Sequence, residues 1–262
     1  MIEILSLHPW LLAINCAVLG LIVGSFANVC VYRIPRGESI AFPGSHCPSC
    51  GHDLAWYDNI PLLAWLLLRG HCRYCQGKIH WRYPLLEALV GLSWGYLGWH
   101  IGQPSLALAE GIILFTMLWI LTGIDLETML LPDILTLPGI AIGLGFAAID
   151  GSWPDAAIGA VAGYSFFWIV ARLFLFTTGK EGMGYGDFKL LSMLGAFMGW
   201  QALPFIVFFS SVIGAVVGAA SLALARKGMG TQIPFGPFLA LAGMVWFLWG
   251  DAILRTYLHY LR

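Results

Sequence analysis

From Leu190 to Ala225 the chain carries no Asp, Glu, Lys or Arg. A run of that kind belongs in lipid, where each segment must satisfy its own backbone N–H and C=O groups and therefore coils into helix. It exceeds the roughly 20 residues one crossing needs, and Gln201 and Pro204 divide it in two. Similar apolar runs recur along the chain. They predict helices near 10–32, 83–101, 106–125, 134–150, 156–178, 188–200, 203–225 and 237–258. Charged residues make up only 10%, against about 25% in soluble domains. The expected fold is an all-α polytopic membrane protein with about eight transmembrane helices. The N-terminus has Glu3 where a signal peptide would be basic, and its apolar run, Trp10 to about Tyr32, is long enough to span. It is expected to stay as the first helix.

Basic residues predict the orientation. Arg33, Arg36, Arg69, Arg73, Lys78 and Arg82 lie in or beside the loop between the first two helices. Arg172, Lys180 and Lys189 flank the loop between the fifth and sixth, and Arg226 and Lys227 follow the seventh. With eight spans these share one face, leaving Arg255 and Arg262 near the other; the crowded face is expected to be cytoplasmic. The chain then divides into a first transmembrane helix (1–32), a cytoplasmic cysteine-bearing loop (33–82) and a second membrane segment (83–262). The expected surroundings are a lipid bilayer, with no nucleic-acid partner. Glycine pairs at Gly20/Gly24, Gly91/Gly95, Gly139/Gly143, Gly159/Gly163, Gly195/Gly199 and Gly214/Gly218 predict close helix crossings.

Against this background the stretch "GMGYGDFKLL" is conspicuous, because it puts Asp187 at the mouth of an apolar helix. An ionisable group at membrane depth is a functional candidate; it is also well placed to cap the helix that follows. Gly182, Gly184 and Gly186 free the backbone for conformations closed to other residues and let another chain approach. Their spacing is not a dinucleotide-binding fingerprint. A catalytic aspartate of this kind needs a second acid, since two close carboxylates share one proton, one serving as base and one as acid. Asp125, closing the third helix, lies level with Asp187 in the eight-span topology. Glu127 reads as a solvated loop acid and Asp133, after Pro132, as a cap. Glu110, Asp150, Asp155 and Asp251 fall toward the opposite face. Asp125 is the expected partner.

The loop between helices one and two carries "CPSC" at 47–50 and "CRYC" at 72–75, separated by 21 residues. Four thiolates on two tight turns suit a tetrahedral zinc ion, and a reducing cytoplasm disfavours the rival disulfide reading. Gly51 and Gly77 are expected to permit the turns. Cys47, Cys50, Cys72 and Cys75 leave no open position on the metal, so a structural role is expected. Binding contributes about 10–16 kcal/mol of folding energy in comparable sites. His46, His52, His71 and His80 read as solvated, and Cys16 and Cys30 as small apolar residues. The segment 60–68 is too short to span and is expected to rest in the interface or on the helices.

The motifs "IDLETMLLPDILTLP" and "GMGYGDFKLLSMLGAFMGW" resemble the two aspartate motifs of the type IV prepilin peptidases, GxGD-type membrane aspartic proteases. The likeness extends to "GSFANVCVYRIPRG", the cysteine loop, "RYPLLEALVG" and "IPFGPFLA". It covers nearly the whole chain, with no departure at either aspartate motif. It implies catalytic roles for Asp125 and Asp187. It also implies removal of a basic leader from prepilins or pseudopilins at the cytoplasmic face of the bacterial inner membrane. In many members N-methylation of the new terminus by S-adenosylmethionine follows, and the family's tetracysteine loop belongs to that portion. Gly184, Gly186 and Lys189 are the positions expected to meet the substrate strand. Arg82 and Glu87 are candidates for contacting the substrate amine or the methyl donor, against interfacial snorkelling and a helix-start carboxylate. Three other readings stay open: a protease alone with a structural zinc loop, a zinc-loop scaffold whose aspartates only cap helices, and a transporter using Asp125 and Asp187 as intramembrane charges. A transporter would show repeated interrupted helices, and none is legible.

Overall fold

A computed structural model describes residues 8–180, 182–225 and 233–260. Glu3, Arg226, Lys227 and Arg262, used above, lie outside the described residues. The helices, in chain order, are α1 (Pro9–Arg33), α2 (Leu63–Leu67), α3 (Arg82–Ile101), α4 (Leu106–Thr128), α5 (Asp133–Asp150), α6 (Trp153–Thr178), α7 (Tyr185–Met198), α8 (Leu203–Ala225) and α9 (Gly236–Tyr260). Among the described residues eight long helices occur where the apolar runs predict them, and six of these are long and apolar enough to cross a membrane. Two fall short of that measure. Helix α7 has 14 residues, about 21 Å of rise against a hydrocarbon core of about 30 Å. Helix α3 carries Arg82, Glu87 and His100 among its apolar residues. Length and composition among the described residues thus support six of the expected eight crossings.

The chain forms two compact units, 1–124 and 125–262. In the first, α1 and α3 pack along their glycine faces. A Cβ on Gly20 would lie 2.9 Å from Trp94 Cβ, one on Gly24 2.7 Å from Glu87 Cα, and one on Gly91 2.6 Å from Leu21 Cδ2. Only small residues permit such an approach, the close-packing device of helices in lipid. Helix α4 is tied on by indole donors: Trp94 Nε1 to Thr116 Oγ1 at 3.1 Å, and Trp119 Nε1 to Ser93 Oγ at 3.2 Å. Between α1 and α3 the loop makes short 3-10 turns at Ile34–Arg36 and Trp56–Asn59, then α2.

In the second unit α7 is the buried element. Leu190, Leu191, Met193 and Leu194 have no exposed surface. Gly159 of α6 and Gly195 of α7 bring their backbones into contact, with no room for a Cβ on either. A Cβ on Gly163 would sit 2.6 Å from Leu191 O, and one on Gly143 of α5 3.0 Å from the Ala196 carbonyl carbon. Ser192 donates to Ala160 O at 2.8 Å, satisfying its hydroxyl in this dry contact. Glycine pairing thus fixes α7 between α5 and α6, while Gly214 and Gly218 of α8 meet only side chains at 3.3 Å or more.

This contrast is testable. Gly195→Val should cost at least about 1–3 kcal/mol, the usual range for forcing atoms into a packed site. Its thermal midpoint in detergent should fall clearly, while that of Gly218→Val should stay near wild type.

Candidate active site and metal cluster

Asp125 occupies the last turn of α4 and is 4% exposed. Its Oδ2 accepts the backbone N–H of Gly236, the first residue of α9, at 2.9 Å. That places a carboxylate oxygen on the N-terminus of a helix, whose free N–H groups and dipole favour an acceptor there. Gly236 is required by space, because a Cβ would lie 2.6 Å from the same oxygen. The following Pro237 suits a helix start, where its missing N–H leaves no bond unmade. Sequence reasoning picked out the segment "IPFGPFLA" but not this contact. A glycine at a helix start beside prolines was the available signal.

Asp187 lies in the first turn of α7. Its backbone N–H reaches Gly184 O at 3.2 Å, and its side chain interacts with both the Gly184 backbone and the charge of Asp125. The two acids singled out from the sequence are therefore within electrostatic reach in one unit. The cap position itself is Gly184. Asp187 sits three residues further in, where an acid leans back toward the cap.

The glycines before it act differently from expectation. Gly184 has φ −74 and ψ 144, an ordinary extended conformation, and Gly182 and Gly186 are not among the positive-φ glycines. Special backbone conformation is therefore not their reason. Close approach is: a Cβ on Gly182 would meet the Phe174 ring at 2.5 Å, and one on Gly186 would meet Leu131 Cβ at 2.7 Å. Leu131 also approaches Gly236, so one leucine wedges between the starts of α7 and α9. Gly184 alone has space, with only Asp187 Oδ2 near, at 3.7 Å.

Lys189, expected at the substrate loop, pairs with Asp133 Oδ1 at 2.6 Å. Asp133 is not the cap of α5; Pro132 holds that position without a side-chain bond. The Asp133 carboxylate instead ties the start of α5 to α7. Glu127 belongs to α4 and is half-buried rather than a solvated loop acid. Asp155 accepts the Trp200 indole N–H at 3.0 Å, and Asp150 accepts the Ser152 N–H at 2.8 Å, accounting for two of the remaining acids.

In the first unit Cys47, Cys50, Cys72 and Cys75 bring their sulfurs within 4.8 Å of one another. Cys47 Sγ and Cys75 Sγ are 3.9 Å apart, close to the about 3.8 Å edge of a tetrahedron with bonds of about 2.3 Å. The two knuckles repeat one geometry. Cys47 N–H donates to His52 O and Gly51 N–H to Cys47 O; Cys72 N–H donates to Gly77 O and Gln76 N–H to Cys72 O. The left-handed turn residue is Gly51 in the first and Gln76, not Gly77, in the second. Gly77 supplies room instead, as its Cβ would touch Cys75 Sγ at 3.3 Å. Burial pushes the Cys47 thiol up, but the N–H groups of Ser49 and Cys50 and its neighbouring thiols more than offset this and draw it down to about 7. The Gly77 N–H favours a Cys75 thiolate, yet its cysteine neighbours and desolvation push it up to about 11. Such crowding of four thiols is relieved by a cation, and the cluster can hold a metal ion.

Glu87 and Arg82 both line a cavity of about 410 Å³ between this loop and the helices α1 and α3. Glu87 is buried, and its Oε2 accepts the Leu62 N–H at 2.8 Å. The segment 60–68 is thus held on α3 through its backbone, while Leu63, Leu66 and Leu67 stay exposed.

An all-helical membrane protein with two acids within electrostatic reach of each other and a four-thiol cluster is the class that fold and site define. Residues 18–101 match the bacterial peptidase A24 N-terminal domain, and residues 112–219 match the type IV leader peptidase family. The chain is 43% identical to a prepilin leader peptidase/N-methyltransferase of Stutzerimonas stutzeri, covering 100% of this chain and 99% of the relative. It is 42% identical to proteins of the same name from Pseudomonas aeruginosa (99% and 98% covered) and Neisseria gonorrhoeae (92% and 91%). No solved structure matches. The chain belongs to the type IV leader peptidase family and is an enzyme.

Metal content checks the cluster. Purified wild type should carry about one ion per chain, and Cys47→Ser or Cys72→Ser should lose it, because three thiolates no longer close the tetrahedron. Elemental analysis of the detergent-solubilised protein reads this directly.

Proposed function

We propose that this protein is an aspartic endopeptidase that removes the basic leader from type IV prepilins or type II secretion pseudopilins. The site of action is the cytoplasmic face of the bacterial inner membrane. The second activity is N-methylation of the freed terminus, with S-adenosylmethionine as donor and zinc held by Cys47, Cys50, Cys72 and Cys75 as a structural ion. The names of the full-length relatives support both activities. The observation that most supports the mechanism is that the charge of Asp125, a buried acid, acts on Asp187, a half-buried one, within one unit.

The chemistry follows from one shared proton. Two carboxylates at short range do not both ionise, so one is a base and the other an acid. The ionised one takes a proton from water as the water oxygen attacks the scissile carbonyl. The protonated one gives its proton to the carbonyl oxygen, and a tetrahedral diol forms. Collapse of the diol returns one hydroxyl proton to the second acid and breaks the C–N bond, and the leaving nitrogen takes the proton held by the first acid. The Gly236 N–H fixes one oxygen of Asp125, leaving the other for the water. The Lys189–Asp133 pair braces the first turn of α7, which carries Asp187.

Asp125→Asn and Asp187→Asn should each lower cleavage of a prepilin-like substrate by roughly three orders of magnitude or more, since the acids act as a unit. Both variants should retain wild-type thermal midpoints. Full cleavage by either removes the paired-acid mechanism. A shared proton also predicts a bell-shaped dependence of kcat/KM on pH, with two apparent ionisations belonging to the pair. Gly184→Ala is a sharper probe of the substrate. Its methyl group has space within the protein, so stability should hold while KM rises, if the extended substrate passes against this residue.

A further inference from the structure

We infer that Met129, with Leu126 and Leu130, seats an apolar side chain of the substrate on the retained side of the scissile bond. The inference rests on the paired-acid reading above and adds a specificity site to it. The three residues follow Asp125 at the end of α4. Leu126 is 63% exposed, Met129 49% and Leu130 53%. The next residue, Leu131, is half-buried. It lies against Gly186 at the start of α7 and against Gly236 at the start of α9, the glycine that holds Asp125. The loop that carries Met129 and Leu130 therefore runs along the edge of the acid pair.

The backbone marks Met129 out. Its φ is 55, and among the described residues of the second unit it is the one non-glycine residue with a positive φ. Its N–H donates to Asp125 O at 2.9 Å, the single bond with which a left-handed residue closes a helix end. Glycine is the usual occupant of that position, because a side chain there crowds its own backbone. An apolar residue so placed normally packs on the residue four back. Four back from Met129 is Asp125, a carboxylate. The methionine therefore strains the backbone without the apolar contact that usually offsets it. Strain of this kind collects at active sites and at sites that grip a ligand.

The chemistry of the three side chains defines what they hold. None carries a charge or a strong hydrogen-bonding group. They offer nothing to the charges of a basic leader, which assigns them to the chain retained after the cut. Methionine is unbranched and polarisable. It adapts to partners of different shape and makes favourable contacts with aromatic rings. A large ring such as that of Phe is the side chain it fits best. Anchoring that side chain would fix the scissile bond beside Asp125, because the Met129 N–H is bonded to the carbonyl of the acid itself. Positioning of the reacting bond is what a pair of fixed acids requires of its substrate.

The test is cleavage of two prepilin-like substrates by the full-length protein in detergent. They carry Phe or Ala as the first retained residue and are otherwise identical. Wild type is compared with Met129→Gly and Met129→Gln. Glycine suits the left-handed position, so the thermal midpoint of Met129→Gly should equal or exceed that of wild type. Glutamine keeps the length of the side chain and the backbone conformation, and removes only the apolar tip. In both variants kcat/KM for the Phe substrate should fall about tenfold or more, the scale of lost contacts in an apolar pocket. The loss for the Ala substrate should be much smaller, so the preference of wild type for Phe shrinks. A helix end that only positions Asp125, or side chains that only meet lipid, would lower both substrates alike. No preference in wild type, equal losses on the two substrates, or an unchanged preference in both variants overturns the inference and leaves the paired acids standing. A wild type that cleaves neither substrate ends the paired-acid reading as well.

Discussion

The bond from the Gly236 N–H to Asp125 Oδ2 joins a helix end to a helix start, and the acid pair depends on it. A carboxylate buried in a lipid-embedded unit has no water to orient it, so a fixed donor must do so. A helix N-terminus supplies donors without adding a charge that would lock the acid in one state. The same contact sets what may stand at position 236. Only a residue without Cβ fits against the oxygen and against Leu131. Asp187 is held by a different means. Its helix is short and gripped at Gly159, Gly163 and Gly143, so its first turn takes its position from packing deep in the unit.

That division explains how far the sequence could be read. Asp125 and Asp187 stood out because acids are scarce in this chain and each sits at the edge of an apolar run. The four cysteines stood out by spacing. Both signals are local, and both pairings are present in the structure. The reason for the glycines was not legible. Gly182 and Gly186 serve Phe174 and Leu131, which are remote or apolar partners that no local pattern announces. Asp133 read as a cap because it follows Pro132, yet its carboxylate found Lys189, 56 residues away, instead. Gln76 took the left-handed position beside a glycine that looked better suited to it. In each case tertiary contact overrode a sound local preference.

The number of crossings illustrates the same limit. An apolar run of 14 residues looks like a membrane span because hydropathy does not distinguish lipid from neighbouring helices. Helix α7 is apolar because it is buried in protein: every residue from Leu190 to Phe197 is buried. A helix surrounded by helices need not match the bilayer's thickness. It can end where its first turn is useful, and here that turn carries Asp187.

On the proposed function, the two activities must run in a fixed order. An amine acceptor for methyl transfer does not exist until a peptide bond has been cut, because an amide nitrogen's lone pair is delocalised into its carbonyl. In that reading the paired acids make the substrate for the other reaction. They need a hydrolytic water at the bond, whereas a sulfonium donor is best kept in an apolar, aromatic pocket where water does not compete for its methyl group. One site can hardly satisfy both demands. Asp125 and Asp187 lie in the second unit and the four-thiol cluster with its adjoining cavity in the first, so the proposed activities have separate surroundings available. The thiol cluster belongs with the cavity, since Cys47 and Cys72 form part of its wall. A metal there would stiffen a loop that has little core of its own, and so support the bond from the Leu62 N–H to Glu87.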